Sequence, residues 1–595
     1  MSAVQSTAPA PVATRVDPVT AAVIQGALEN IAIEMGHKLM RMSYSSIIRE
    51  SEDFGTALTD ATGRQLSECK MSTPLQSGPI PGYVRGILKQ LAARGQQVMP
   101  GDVIMHNDPY GGASHGPDVG FAVPVFLGGE LIGFSVTTAH HLDIGALTPG
   151  STGIVDAVDT YAEGLQFKAI KVYEGGKRND AVWSILRDNI RASDLVVGDM
   201  EAQVETARIG AQRFLELVNQ YGLKTVMDSF EDLLDYSERL MRAAIAALPD
   251  GEYKAKTYID GFLDDPNPSR KDLPIAVTLT VKGDSITVDL TGTAPQIPDK
   301  PINMPLVGTV DIAIWLTLRS ILLDSVVYGA IPQNEGLSRP VKIIAPLGSL
   351  ANPIFPAPVI ARFCPGNALA DTVMKALSQA VPQQVSAGIG NLRVIAFSGV
   401  QQGKQWVHME ILEGSYGGRY ASDGMDAVDT LFANTRNNPI EDIESHLPIR
   451  VDRYELLDDV AAAGRNRGGI GTVREFTFLT DGAFSIEGDG HKYRPWGFGG
   501  GADGHPGSLR LIDTAGNVTE LVSKVPYHPV KAGDRLVSNG PSGGGYGNPR
   551  ERAPEQVASD VLEGFISAET AARDYGVVMS GKELDAAATA ALRSA

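Results

Sequence analysis

Cysteine is nearly absent from this chain: Cys69 and Cys364 are the only two in 595 residues. So sparse a supply excludes a disulfide-built fold, and neither a CxxC nor a Cys/His zinc spacing occurs. No apolar run approaches the roughly 20 residues that a membrane-spanning helix needs. The opening stretch "MSAVQSTAPAPVATRVDP" has no basic start and no apolar core, so it does not read as a secretory signal. Positive charge is also in deficit. Lys and Arg number 51 against 70 Asp and Glu, a net charge of -19, and no dense basic cluster offsets it. That balance argues against a nucleic-acid binder. The glycine-rich "GFGGGADG" and "SGGGYGNP" end in no Gly-Lys-Ser/Thr, and neither is a GxGxxG that opens a helix after a strand. They read as tight turns and not as phosphate loops. No repeat recurs at a fixed period. These absences point to a cytoplasmic protein with no nucleic acid and no membrane among its partners.

What is present is an ordinary globular composition, 43% apolar and 20% charged. The length calls for several domains. The expected fold class is mixed α/β (α+β), multi-domain, with sheet-rich central and C-terminal parts and several long amphipathic helices. The expected organisation is a disordered Ala/Pro/Ser/Thr-rich tail over 1–16, a domain over 17–250 that carries the candidate site, an α+β middle domain over 251–464, a Gly-rich β region over 465–550 and a helical segment over 551–595. Asp17-Pro18 reads as a helix start. Val23 or Ile24, Leu28, Ile31, Met35, Leu39 and Met42 then recur at helical steps. "VGFAVPVFLGGELIGFSVTTAHH" reads as a hairpin turning at Gly128-Gly129. That hairpin brings His115 and Asp118, before its first strand, to the same sheet end as His140, His141 and Asp143, after its second.

Histidine is scarce too, with ten in the chain, yet His106, His115, His140 and His141 fall close together with Asp108, Asp118 and Asp143 between and beside them. Imidazole nitrogen combined with carboxylate oxygen suits a divalent ion such as Zn, Mn or Fe(II). The spacings His-x-x-Asp (115, 118) and His-x-Asp (141, 143) place pairs within reach of one ion. Such a site supports hydrolytic or Lewis-acid chemistry. Which of His140 and His141 binds is open on spacing alone. Arg362 in "VIARFCPGN" reads as a salt-bridge partner at an element boundary.

These pieces, with "RESEDFGTALTDATGRQL", "NDPYGGASHGPDV", "AHHLDIG", "LPIRVDRYEL", "AAGRNRGGIG" and "GPSGGGYGNPRERAPEQVASDV", resemble the hydantoinase B/oxoprolinase family over nearly the whole chain. The resemblance implies the metal-bearing subunit of an ATP-dependent amidohydrolase that opens a hydantoin, oxoproline or lactam ring. It implies an A-type, actin-like ATPase partner that binds ATP and Mg, in a heterotetramer of two copies each. Carried over by position, it implies Asp53, His115, Asp118 and His140 as ligands of the divalent metal. His141 and Asp143 are then expected to handle protons or support the ligands. The same family includes acetone and acetophenone carboxylases, so ketone carboxylation is the alternative, and a scaffold with a purely structural metal is the third reading. His106 and Ala146 depart from the family pattern.

Overall fold

A computed structural model of the chain describes residues 14–594 apart from Thr152, Ile154, Gly329, Ala330 and Phe432. Most of the expected tail lies outside the described residues, and at its end Arg15 already pairs with Asp232 at 2.8 Å and Asp235 at 2.9 Å. The first helix, α1 (Pro18–Met42), begins where Asp17 Oδ1 accepts from the Val19 and Thr20 N–H groups, each at 3.1 Å. It buries Ile24, Leu28, Ile31, Met35 and Leu39. Of the pair Val23/Ile24 the register selects Ile24, and both Val23 and Met42 are exposed.

The site domain is built on β1 (Phe54–Asp60), β2 (Gln65–Glu68), α2 (Pro74–Ser77), α3 (Ile80–Ala93), β3 (Val103–His106), β4 (Asp118–Leu127), β5 (Glu130–His140), β6 (Ile170–Glu174), β7 (Lys177–Arg178), α4 (Ser193–Tyr221) and α5 (Leu223–Ala246). Its seven-stranded sheet runs β2-β1-β5-β4-β3-β6-β7, with every pairing antiparallel. Both faces are covered, so alternate residues of one strand enter different cores. Val119, Phe121 and Val123 of β4 pack with Met200 and Val204 of α4. Ala122, with Phe134 and Val136 of β5, packs with Val84, Ile87 and Leu91 of α3. Each of these side chains larger than Ala122 contributes about 1.5–3 kcal/mol by leaving water. The β4–β5 turn uses Gly128 and Gly129, both at positive φ (60° and 90°), as the sequence anticipates.

Downstream come β8 (Gly251–Gly261), β9 (Lys271–Lys282), β10 (Ser285–Asp289), α6 (Asp311–Leu322), β11 (Val341–Ile344) and α7 (Phe363–Leu377). The strands form a second sheet in the order β11-β10-β9-β8. Its buried face carries Val277, Leu279, Val281, Ile286 and Val288, a period-two pattern against which α7 packs. The remaining strands are β12 (Arg393–Gln401), β13 (Lys404–Leu412), β14 (Ile449–Leu456), β15 (Thr472–Phe478), β16 (Gly482–Glu487), β17 (Ser508–Ile512), β18 (Val518–Leu521), β19 (Val525–Val530) and β20 (Arg535–Asn539), followed by α8 (Pro554–Leu562). They form two sheets, β13-β12-β16-β19 and β14-β15-β20-β17-β18, which share a core around Phe397, Phe476, Phe478 and Phe484.

This pairing corrects the boundary expected at 464/465. β12 hydrogen-bonds β16 and β14 hydrogen-bonds β15, so both sheets straddle that point. The rise in glycine there marks close backbone approach and not a domain edge. A Cβ on Gly501 would lie 2.1 Å from the Gly545 carbonyl oxygen. The N–H groups of these loops are spent on backbone carbonyls, as in Phe498 to Gly545 and Gly545 to Ala502, both at 2.9 Å. Among the described residues no helix is long and apolar enough to cross a membrane.

Candidate metal centre

Three strand ends place three side chains in a row. His140 ends β5. Asp118, the first residue of β4, lies directly opposite it in the register. On the other side the His140 N–H donates to the Asp53 carbonyl oxygen at 3.1 Å, one residue before β1 begins. Cross-strand neighbours point to the same face, so Asp53, His140 and Asp118 project together. Helix α2 closes over that face because Gly55 has no side chain. A Cβ there would meet the Gln76 carbonyl carbon and the Ser77 nitrogen at 2.7 Å. Held this close, Gln76 Nε2 donates to Asp53 Oδ1 at 3.1 Å and to Asp118 Oδ1 at 2.7 Å. Thr73 adds a hydroxyl to Asp53 Oδ1 at 3.1 Å.

His115 enters from the loop before β4. Its Nδ1 lies 2.9 Å from the Ile360 carbonyl oxygen, which can only accept, so Nδ1 carries the proton. Nε2 then presents a lone pair, and it faces Asp118 Oδ1 at 3.0 Å. Burial, reinforced by Arg362, holds His115 below the usual imidazole range, and burial brings His140 down to about 3. Both rings are therefore neutral at physiological pH, with His115 Nε2 and His140 Nδ1 buried and without hydrogen-bond partners. Donor atoms of His115, Asp118 and His140 all lie within 4.8 Å of one another. Unpaired imidazole nitrogens converging on a carboxylate, one of them backed by a backbone carbonyl, fit a divalent cation.

Asp118 is the electrostatic centre. Its Oδ2 accepts from Arg362 Nη2 at 2.9 Å and from the Ser114 hydroxyl. Burial alone would raise its pKa, but His115 when protonated and the Arg362 guanidinium outweigh burial and hold the carboxyl well below the usual range. Asp53, by contrast, is pushed up to about 7 by burial and by the charge of Asp118. It lines the same cavity but stands outside the tight three-donor group, joined to it through Gln76. Phe363, Val394, Met409 and Ile411 give the cavity its apolar lining, and Glu487 lines it as well.

The other two expected site residues are not brought to the cavity. His141 follows His140 by one residue, so the strand's alternation turns it to the opposite face. There its Nε2 lies 2.8 Å from Gln203 Oε1 of α4. Asp143 is filled by the loop it fastens: it accepts from Gly145 at 2.8 Å, from Gly150 at 3.1 Å and from the Arg191 guanidinium at 3.1 Å. That loop delivers Ser151 to the cavity wall. His106 is likewise occupied elsewhere, with Nε2 3.2 Å from the Gly111 carbonyl oxygen. Arg362 is the salt-bridge partner the sequence suggests, and the carboxylate it holds is Asp118. Gln76, Thr73, Ser114 and Glu487 carried no sequence signal, because each is a single polar residue brought in by tertiary contact.

Glu163 supports the site at one remove. Its Oε1 accepts from the Val359 and Ile360 N–H groups at 2.5 and 2.6 Å, and so fixes the carbonyl that orients His115. Burial pushes this carboxyl up to about 8. Between the ordinary glutamate value of 4.5 and about 8 the folded state keeps a proton that the unfolded state has released, so stability falls as pH rises through that window. Glu163→Gln keeps the acceptor and removes the penalty. The variant is expected to melt above the wild type at pH 8, by the equivalent of about 1–3 kcal/mol, and to converge with it near pH 4.5. Thermal unfolding at the two pH values checks this.

The sequence model of the hydantoinase B/oxoprolinase family matches residues 17–549. The chain is 65% identical over 570 residues to a protein of a Pseudomonas species named as the B component of a putative D-/L-hydantoinase, covering 96% of each. It is similar to the solved ATP-dependent caprolactamase of Pseudomonas jessenii, with a TM-score of 0.88 and 30% identity over 98% of this chain and 100% of that one. The nucleotide-free structure of acetone carboxylase matches with a TM-score of 0.89 at 18% identity, over 97% of this chain and 82% of that one, a likeness of fold.

Proposed function

Because the chain belongs to the hydantoinase B/oxoprolinase family, we propose that it is the metal-bearing subunit of an ATP-dependent amidohydrolase that opens a cyclic amide. Hydantoin stands first among the candidate rings, ahead of oxoproline and lactam, on the name of the 65% identical relative. The partner is an A-type, actin-like ATPase subunit that binds ATP and Mg and activates the ring, assembled as two copies of each chain in the cytoplasm. The observation that carries the reading is the convergence of His115, Asp118 and His140, with Asp53 beside them, on one apolar-walled cavity.

A divalent ion held by these four residues, Zn, Mn or Fe, would supply Lewis acidity and a water of lowered pKa. The chain's own groups do the rest. Arg362 and Gln76 keep Asp118 ionised and aimed. Phe363, Val394, Met409 and Ile411 exclude bulk water and seat the ring. Glu487, raised by burial, holds a proton to higher pH than a free glutamate and faces the cavity. A carboxyl placed there can accept or donate a proton beside the breaking C–N bond, and its Oε1 is fixed by the Cys364 N–H at 3.0 Å. The test is ring opening by the purified complex with ATP, with and without bicarbonate. Opening that ignores bicarbonate supports the reading; ketone carboxylation that depends on it sinks the reading.

Metal affinity carries a pH signature. His115 and His140 are already neutral near pH 7, so Asp53 is the one proposed ligand still partly protonated there. A protonated carboxyl must release its proton to ligate. Affinity is therefore expected to fall about tenfold per pH unit below 7 and to level off above it. Asp53→Asn should flatten that slope. Competition titration against a chelating dye from pH 5.5 to 8.5 measures both.

A further inference from the structure

Three strands of the C-terminal part lay a row of side chains into the metal cavity. In the β12–β13 register Val394 stands directly opposite Ile411, and in the β12–β16 register the same Val394 stands directly opposite Glu487. Cross-strand neighbours share a face, so Ile411, Val394 and Glu487 project side by side, and Met409, two residues from Ile411 on β13, joins them. The alternate residues fix the phase: Ile395, Leu412 and Ile486 turn to the other face, into the core around Phe397 and Phe484. All four side chains of the row line the cavity, with Val394 and Ile411 half-buried. Glu487 is held at its end by the Cys364 N–H, at 3.0 Å from Oε1.

The row is chemically graded. Strands lie about 4.8 Å apart, so its one ionisable group stands one strand from Val394 and roughly 10 Å from Ile411 at the backbone. A bond cleaved beside Glu487 therefore leaves the rest of the substrate over Val394, Ile411 and Met409. Charge points the same way. Among the described residues Arg362 is the one lysine or arginine that lines the cavity, and it is spent on Asp118 at 2.9 Å. The carboxyls of Asp53, Asp118 and Glu487 belong to the same lining. A carboxylate on the substrate would lose its water there without gaining a free cation, whereas an aliphatic group gains by leaving water. We infer that the row orients and selects the substrate, with Glu487 at the scissile C–N bond and Val394, Ile411 and Met409 receiving an uncharged aliphatic substituent of the ring. Substituted hydantoins and lactams then fit, and oxoproline, whose ring bears a carboxylate, does not. Naming the guest a cyclic amide rests on the hydrolase reading above; the apolar, uncharged character of the substituent end does not.

Hydantoins bearing methyl, isobutyl or carboxymethyl at the same ring carbon are offered to the complex of the full chain with its ATPase partner and ATP, and kcat/KM is measured for each. Binding of the same three to the full chain alone is followed by calorimetry. Isobutyl and carboxymethyl are close in shape, so their ratio reads charge, and isobutyl against methyl reads size. The expected wild-type order is isobutyl, methyl, carboxymethyl, with at least about tenfold between the first and the last. Ile411→Ala should lower the isobutyl-to-methyl ratio by about fivefold or more. Glu487→Gln should lower kcat for every ring and leave that ratio in place. Circular dichroism verifies that each variant folds, and Val394→Ala carries the test if Ile411→Ala does not. Equal use of the carboxymethyl ring by the wild type, or a ratio unmoved by Ile411→Ala and Val394→Ala, overturns the proposal. A ratio moved by Glu487→Gln and not by Ile411→Ala overturns the orientation. Binding in the expected order with no ring opened sinks the hydrolase reading and leaves the selectivity of the row standing. No opening together with no binding at about 10 mM overturns both.

Discussion

Replacing His140 by alanine is expected to abolish binding of the proposed divalent ion and the proposed ring opening, whereas replacing His141 is expected to leave the ion in place. The contrast follows from one residue of strand alternation. His140 lies opposite Asp118 in the β4–β5 register and lines the cavity. His141 is turned to the other face and spends Nε2 on Gln203, whose own amide donates to the Val119 carbonyl oxygen at 2.9 Å. Loss of a direct ligand should lower metal affinity by at least about 100-fold. His141→Ala should instead cost stability, on the order of 1–3 kcal/mol, because Gln203 Oε1 is left buried without a donor. Elemental analysis and thermal unfolding of the two variants separate the roles. Metal loss in His141→Ala with retention in His140→Ala would reverse the assignment.

Asp118→Asn should reduce ring opening by at least about a thousandfold while the partner's ATPase persists. The substitution is nearly isosteric but chemically opposed to its surroundings. Gln76, Ser114 and Arg362 all direct donors at the carboxylate, so an amide N–H₂ there meets donors on either side. Asp118→Ala should be worse for stability, by about 3–5 kcal/mol, since the Arg362 guanidinium is left buried and unpaired. Asp118→Ala combined with Arg362→Met should recover most of that stability and none of the activity. If the double variant regained activity, Asp118 would be a structural counter-charge and not part of the reacting site. Melting temperature and ring-opening rate, measured on the same preparations, decide between these.

The hairpin that sets the site was legible because period-two alternation and a Gly-Gly turn define both strands and their register. That pattern alone brings His115, Asp118 and His140 to one sheet end. It could not separate His140 from His141. The sheet is covered on both faces, so apolar residues occupy both phases of β4 and β5 and the pattern does not say which phase faces the cavity. Asp53 reached the ligand set only through family resemblance; the β1–β5 pairing supplies the physical reason. Gln76, Ser114 and Glu487 were invisible because nothing local marks a residue whose partner is tertiary. Asp143 drew attention as a carboxylate beside histidines, yet its hydrogen bonds all run to its own loop and to Arg191. The boundary at 464/465 failed for a related reason, since composition reports turns while strand pairing is long-range.

The most direct test of the account is ring opening by the Asp118→Asn/His140→Ala double variant, freed of metal and reconstituted with the partner subunit and ATP. The account predicts no ring opening above the uncatalysed rate, with ATP hydrolysis by the partner still measurable. Full ring-opening activity in that metal-free double variant would contradict it.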